Sequence, residues 1–441
     1  ARAVPRPAGG GGAVTAQPLS GGVMAQPLSL RRAGLDLLVA GCLIAGCVAP
    51  AQGAAARRGA SDPRFPFRVT GITQVAQLIG PTPNSPVADT AASAHSISDT
   101  TRWGVCGGDL GSLIVSGGTA YLTLGDNYTT CPPGTGGPAG GLGPPDWRSN
   151  AVGIVPDPTH FAHGLRITKW YSHNGTTAAE PIPSQHNAGD CQNTETPGCE
   201  VTIIPTYGFA TQGHLFLAYM SVHHWGPASV WDVNYSSLVM SADGGKSWTN
   251  ERDKVTWGAK SNFAQVAVVP DPDGTHLLFY GIPGGRFGSV KLMRTANTWR
   301  SVLSSHAYQY FTGLDAAGKP KWSASSAQAA TVAGAPVGEL SVIYDPGVKQ
   351  WLMTYLQGGN DQVRPSSDNI VIRSAPHYWG PWSAPATLAS NSQFPGLYGA
   401  FMNLHFLADQ GRTIYFVMSE WGPYSVFWMR ATLVGGAAAS G

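Results

Sequence analysis

The sequence predicts an all-β protein built as a five-bladed β-propeller, and three observations carry that reading. A strand–turn–strand unit returns at intervals of roughly 60–75 residues from residue 215 onward. The 441 residues include 57 Gly, 34 Pro, 14 Trp and 15 Tyr, with only 12% charged, which suits many short strands and tight turns rather than long helices. The stretch Ser241-Ala242-Asp243-Gly244-Gly245-Lys246-Ser247-Trp248 reads as one tight turn. In it an aspartate accepts backbone N–H groups, a glycine takes the strained angle and a tryptophan packs beneath.

The elements follow in chain order. Residues 1–30 are rich in Gly, Pro and Ala and show no apolar period. Arg31-Arg32 then precedes an apolar run from Ala33 to Ala49 broken only by Asp36, the pattern of a secretory signal and too short for a comfortable bilayer span. Val39-Ala40-Gly41-Cys42 and Ile44-Ala45-Gly46-Cys47 both resemble a bacterial lipobox, so attachment to a membrane through a lipidated Cys47 stands beside ordinary cleavage near Ala49-Pro50-Ala51. The expected organisation is therefore a lead and signal over 1–60, a propeller over 61–436 and a tail over 437–441, in a secreted or cell-envelope protein. Setting Cys42 and Cys47 aside leaves four cysteines, read as the disulfides Cys191–Cys199 and Cys106–Cys131, one of three possible pairings.

The first blade is expected to carry strands over 113–115 and 121–124, and the second over 215–220 and 236–241. The third takes 264–269, 277–281 and 290–293; the fourth 340–344, 351–355 and 370–373; the last 402–406, 413–418 and 426–429. Gly117-Gly118, Pro270–Gly274, Asp345-Pro346-Gly347 and Ala408–Gly411 supply the turns. Two polar Gly/Pro-rich stretches, 129–147 and 173–200, read as insertions rimming one face.

The first hairpin holds the main clue to chemistry. Gly-Gly between two apolar runs signals a two-residue turn, because glycine tolerates the positive φ that such a turn requires. If Gly117 and Gly118 form it, residues whose numbers sum to 235 face one another, and Asp109 and Asp126 satisfy that sum. Two facing carboxylates repel and push their pKa values apart, which is what acid/base chemistry near neutrality requires. Asp-Leu-Gly and Gly-Asp-Asn also serve as ordinary turn chemistry, with aspartate capping local N–H groups.

Several stretches, taken together, resemble the DUF4185 family of exported bacterial proteins, a glycoside hydrolase family that contains endo-D-arabinanases. They are Gly108-Asp109-Leu110-Gly111-Ser112, Gly125-Asp126, Trp147-Arg148-Ser149-Asn150, Tyr219-Met220-Ser221-Val222 with Trp225-Gly226, the Asp243 turn and Gly285-Arg286-Phe287-Gly288. The later ones are Gly338-Glu339-Leu340-Ser341-Val342, Tyr398-Gly399-Ala400-Phe401-Met402 and Ser419-Glu420-Trp421-Gly422-Pro423-Tyr424. The resemblance implies a five-bladed propeller that hydrolyses internal α-D-arabinofuranosyl linkages of arabinogalactan or lipoarabinomannan. The chain departs from the family where it reads Gly125-Asp126-Asn127-Tyr128 in place of Gly-Asp-Thr-Phe, and its 173–200 loop looks particular to it.

Glycoside hydrolysis needs one carboxyl to protonate the leaving oxygen and one carboxylate to activate water or attack the anomeric carbon. Asp126 is expected as the acid and Asp109 as the base, with the reverse open, and Glu339 is the reserve carboxylate. Arg148, Asn150, His224, Trp225, Arg286, Trp421 and Tyr424 are the candidate substrate-binding residues, and Trp231 is a further stacking platform. No metal or other cofactor is expected. The partner is a polysaccharide; a net charge of +2 with no long basic run argues against nucleic acid, and a monomer is expected. The competing readings are a carbohydrate-binding propeller without turnover and a sialidase-type enzyme. The latter suits poorly a chain with so few arginines in its motifs.

Overall fold

The computed structural model describes residues 62–81, 97–130, 147–186, 191, 198–227, 229–358 and 368–435. The chain divides into two units, Ala1–Gly59 and Ala60–Gly441, and every described residue belongs to the second. The expected signal, Cys42, Cys47, Cys131 and the tail lie outside the described residues.

The described chain is all-β, and its strands form five antiparallel blades. Strand β1 (Phe67–Gln77) is held back for the last of them. The first blade is β2 (Gly107–Ser116), β3 (Thr119–Tyr128), β4 (Trp147–Arg148), β5 (Ala151–Val155) and β6 (Lys169–Trp170). The second is β7 (Thr202–Thr211), β8 (His214–Trp225), β9 (Trp231–Ser241), β10 (Thr249–Asn250) and β11 (Thr256–Gly258). The third is β12 (Gln265–Pro270), β13 (His276–Ile282), β14 (Gly288–Ala296), β15 (Gln309–Leu314), β16 (Pro320–Ser323) and β17 (Thr331–Val337). The fourth is β18 (Leu340–Asp345), β19 (Gln350–Gln357), β20 (Asn369–Ala375) and β21 (Ala386–Ser390). The fifth runs β22 (Leu397–Ala408), β23 (Thr413–Glu420) and β24 (Ser425–Gly435), and β1 adds itself to the outside of β24. The start and end of the described chain thus share one sheet, which ties the ring shut.

The innermost strands β2, β7, β12, β18 and β22 touch one another in sequence around the axis. Each is the edge of its own sheet, so its outward backbone groups need partners from the neighbouring blade. Small hydroxyls provide them. Ser112 Oγ accepts the Gly208 N–H at 3.0 Å, and Ser341 Oγ accepts the Met402 N–H at 2.8 Å while donating to Ala400 O at 2.9 Å. Between blades the main core is aromatic-rich, with Trp351, Trp428, Tyr280 and Phe216 among its fully buried side chains, and Tyr219 anchors a smaller cluster between the first two blades.

The turn at Asp243 forms as its residues dictate. Asp243 Oδ1 accepts the N–H groups of Lys246 and Ser247 at 3.0 and 2.9 Å, and Oδ2 accepts the Ser247 hydroxyl at 2.6 Å. Those bonds, the hydroxyl first, push the carboxyl down to about 2. Tyr121 of the first blade donates to Gly244 O at 3.1 Å, so the turn also docks one blade on the next. Cys191 and Cys199 form the expected disulfide. Cys106 is disulfide-bonded too, its expected partner Cys131 lying outside the described residues.

Several strands escaped the sequence reading, most of them short outer strands of the blades; two long ones, β7 and β1, have identifiable reasons. Strand β7 carries Pro205, a residue that usually marks an edge or a bulge, and its register shifts between Pro205 and Tyr207. Strand β1 reads as irregular because Gly71 interrupts it at φ 63°, and its ladder shifts twice.

Candidate active site

The hairpin turns where the glycines predict. Gly117 and Gly118 have φ of 57° and 79°, and the pairs from Ser116↔Thr119 to Ser112↔Thr123 keep the sum of 235. The register then slips to Leu110↔Leu124 and recovers at Gly108↔Asn127. Asp109 therefore faces the Gly125–Asp126 step across a bulge rather than standing in a ladder pair with Asp126. The cause is local: Leu110 and Gly111 both take positive φ, 63° and 111°. A Cβ on Gly111 would lie 2.6 Å from Val417 Cγ1, so only glycine lets β2 press this closely on the fifth blade. Ser419 holds the bulge by donating to Leu110 O at 3.0 Å. The bulge re-aims Asp109 over the bare backbone of Gly125, where any side chain would collide with its carboxylate.

Both aspartates open into one cavity of about 680 Å³ at the end of the ring, with walls from all five blades. Leu110, Ile204, Val266, Leu340 and Phe401 are among its apolar lining; Trp147, Trp225, Trp231, Tyr398, Trp421 and Tyr424 supply aromatic faces. The two carboxyls meet different surroundings. Asp126 Oδ1 accepts the Trp147 indole N–H and the Thr202 hydroxyl, each at 2.8 Å. Burial raises its pKa to about 6, against the pull of the Thr202 and Trp147 bonds. Asp109 accepts one bond, from the Tyr398 hydroxyl to Oδ2 at 3.1 Å, and its buried Oδ1 has no partner among the described residues. Burial first, and then the neighbouring Asp126, drive its pKa well above the usual carboxylate range.

Across the cavity Arg286 grips Glu339: Nη2 donates to Oε1 at 2.7 Å, and Nε lies 3.0 Å from both carboxylate oxygens. The guanidinium also lies over the rings of Trp231 and Tyr398, 5.5 and 5.3 Å from their centroids. A carboxylate engaged on both oxygens in this way is occupied, which suits orientation better than proton transfer.

Of the residues expected to bind substrate, Trp225, Arg286, Trp421 and Tyr424 line the cavity. Trp421 is 51% exposed at the rim and Tyr424 is buried beneath it, their rings 5.6 Å apart. Arg148, Asn150 and His224 are not among the lining residues. Arg148 donates to Asn127 Oδ1 at 2.8 Å, to Thr129 Oγ1 at 3.1 Å and to Gly104 O, so it clasps the end of the hairpin. Asn150 is fully enclosed and bonded to both the N–H and the C=O of Ile182, which makes it an internal staple. His224 stands opposite Asp232 in the β8–β9 ladder. Sequence reasoning gave no role to Tyr398, Trp147 or Thr202. The first two lie in the stretches quoted for the resemblance, which was the available signal; Thr202 carried none, because the strand it opens was not foreseen. Among the described residues, no three His, Cys, Asp or Glu side chains converge as a metal site would require.

In fold, the chain is similar to a putative hydrolase from Bacteroides ovatus, with a TM-score of 0.52 at 13% identity over 75% of this chain and 87% of that one. Arabinanases from Bacillus subtilis (TM-score 0.38, 12% identity) and Bacillus licheniformis (0.39, 13%) also match, each over 75% of this chain and 96% of theirs. At these identities the likeness concerns the fold alone. No curated protein matches the chain. The model of the domain of unknown function DUF4185 matches residues 95–430, well over half of the sequence, and the chain belongs to that family.

Proposed function

We propose that the protein is an exported glycoside hydrolase that cleaves internal α-D-arabinofuranosyl linkages of cell-wall arabinan. The observation that carries this reading is the pair Asp109 and Asp126, two carboxyls at one cavity whose surroundings drive their protonation apart. At pH 7 a group titrating near 6 is about nine-tenths ionised, so Asp126 is the base or nucleophile. Asp109, whose burial favours the neutral form, keeps its proton and gives it to the departing glycosidic oxygen. This reverses the roles that the sequence favoured. The reason is the count of donors: Asp126 receives two and Asp109 one. Asp126 either takes a proton from the water that adds to the anomeric carbon or attacks that carbon itself. Arg286, fixed by Glu339, borders the sugar site, and Trp225, Trp231 and Trp421 offer faces for furanose rings.

A binding propeller without turnover would use the same aromatic walls, but it has no need for a carboxyl raised to about 6 beside a second raised further. The name of the Bacteroides ovatus protein, a hydrolase by description, agrees with the reaction class. Incubation with mycobacterial arabinogalactan and chromatography of the products tests the proposal. A ladder of arabinose oligomers, lost in Asp109→Asn and Asp126→Asn, is expected. Retained glycan binding with no released product from the wild type would make the protein a lectin.

A further inference from the structure

Both donors to Asp126 are held from behind by one pair of side chains on the segment between β6 and β7. His186 packs edge-on against the Trp147 indole, ring centroids 4.6 Å apart, and its Nε2 lies 2.9 Å from Glu180 Oε1. The same Glu180 oxygen accepts the Ser149 amide N–H at 2.6 Å. Ser149 Oγ is 2.9 Å from Thr202 Oγ1. The Thr202 hydroxyl has two acceptors in reach, Asp126 Oδ1 at 2.8 Å and Ser149 Oγ at 2.9 Å, and the Ser149 contact fixes where Thr202 stands. Two routes thus run from Glu180–His186 to Asp126 Oδ1, one through the Trp147 indole and one through Ser149 and Thr202.

We propose that Glu180 and His186 are positioning residues for Asp126, an ion pair that aims the Trp147 and Thr202 donors at its carboxylate and keeps that carboxylate ionised. The inference rests on the base role given to Asp126 above. The segment that carries the pair is itself anchored. Gln185 N–H donates to Glu200 Oε1 at 3.0 Å, and the Cys191–Cys199 disulfide closes the chain just beyond. The charged groups facing His186 are Glu180, Asp126 and Glu200. Burial disfavours its charged form, the Glu180 contact favours it, and with the other carboxylates the balance raises its pKa. His186 in turn lowers the pKa of Asp126, and the Glu180 charge opposes it. Removing the imidazolium therefore takes from Asp126 a positive charge that favours its ionised form.

The test is the carboxyl titration of Asp126, followed by NMR in the full chain labelled with ¹³C-aspartate and assigned by its loss in Asp126→Asn. In His186→Gln the midpoint is expected to rise by roughly half a pH unit or more, and the acid limb of kcat/KM moves up with it while KM holds. In Glu180→Gln the amide oxygen still accepts the Ser149 N–H, but the His186 imidazole loses its counter-charge and its own midpoint falls. An unchanged Asp126 midpoint in a folded His186→Gln overturns the proposal. If that variant does not fold, an unchanged His186 midpoint in Glu180→Gln overturns it instead. Because the NMR readout needs no substrate, a wild type that cleaves no arabinan refutes the proposed function and leaves this comparison intact.

Discussion

Replacing Asp126 by Asn should inactivate the protein and also stabilise it, with a pH dependence that can be worked out. Moving the carboxyl from the ordinary 3.8 to about 6 weakens the folded state by ~3 kcal/mol once folded and unfolded forms are both ionised. The sign follows from proton counting. Between pH 3.8 and 6 the folded chain still holds a proton that the unfolded chain has released, so stability falls as pH rises through that window and then levels off. Asparagine has no proton to lose, and its side-chain oxygen can still accept the Trp147 and Thr202 bonds. Urea denaturation of wild type and Asp126→Asn across pH 4 to 8 reads the difference. Near-equal stability at pH 4 and an advantage of ~2–3 kcal/mol for the variant at pH 7.5 are expected. A gap that does not widen between those pH values, or a variant weaker than wild type at pH 7.5, refutes the account of Asp126 as a carboxyl strained by burial.

Other residues give further tests. Asp109→Asn should lower kcat by roughly 10²–10⁴-fold while leaving glycan affinity, measured by calorimetry with arabinan oligomers, near that of the wild type. Tyr398→Phe removes the bond that favours the ionised form of Asp109, so the alkaline limb of the pH–rate profile should move up, with kcat at pH 7 largely kept. The Trp231 indole N–H is buried at the cavity without a partner among the described residues. Trp231→Phe should therefore raise KM several-fold, about the worth of one hydrogen bond, at nearly constant kcat. Arg286→Leu leaves Glu339 buried without its partner; a loss of about 3–5 kcal/mol in chemical denaturation is expected, and Arg286→Leu with Glu339→Leu should recover much of it.

Legibility in the sequence followed the range of the interactions concerned. The Gly117-Gly118 turn and the Asp243 turn are decided by residues a few positions apart, and both formed as read. The five-blade count came from a repeat, which is a local signal copied along the chain. The two long strands that escaped, β1 and β7, are ones whose pairing is decided elsewhere, and the short outer strands of the blades escaped with them. β1 has no partner until the chain has gone once around and offers β24, and β7 is built through a proline against β8. The site divides in the same way. Counting from the turn brought Asp109 and Asp126 together, but their unequal surroundings depend on Tyr398, Trp147 and Thr202, which arrive from separate parts of the chain. Arg148 and Asn150 do not line the cavity because polar residues beside the hairpin serve equally well to brace it, and only the bonds to Asn127 and Ile182 tell the two uses apart.

The bulge at Leu110–Gly111 explains how a strained pair persists. Two buried carboxyls in a regular ladder would relax by sliding the register or swinging one side chain into water. Here β2 is locked on both sides: Ser112 binds β7 through Gly208, and Ser419 of β23 binds Leu110. Gly111 packs against Val417 too tightly for the strand to rotate. The strand carrying Asp109 is therefore held by blades on either side of it, and those blades hold each other around a ring whose first and last strands are paired. Since domains are stable by only about 5–15 kcal/mol, a site that takes back ~3 kcal/mol through Asp126 alone needs a frame that cannot yield locally. A closed ring of sheets meets that need, because relieving the strain at β2 would require breaking contacts with two other blades at once.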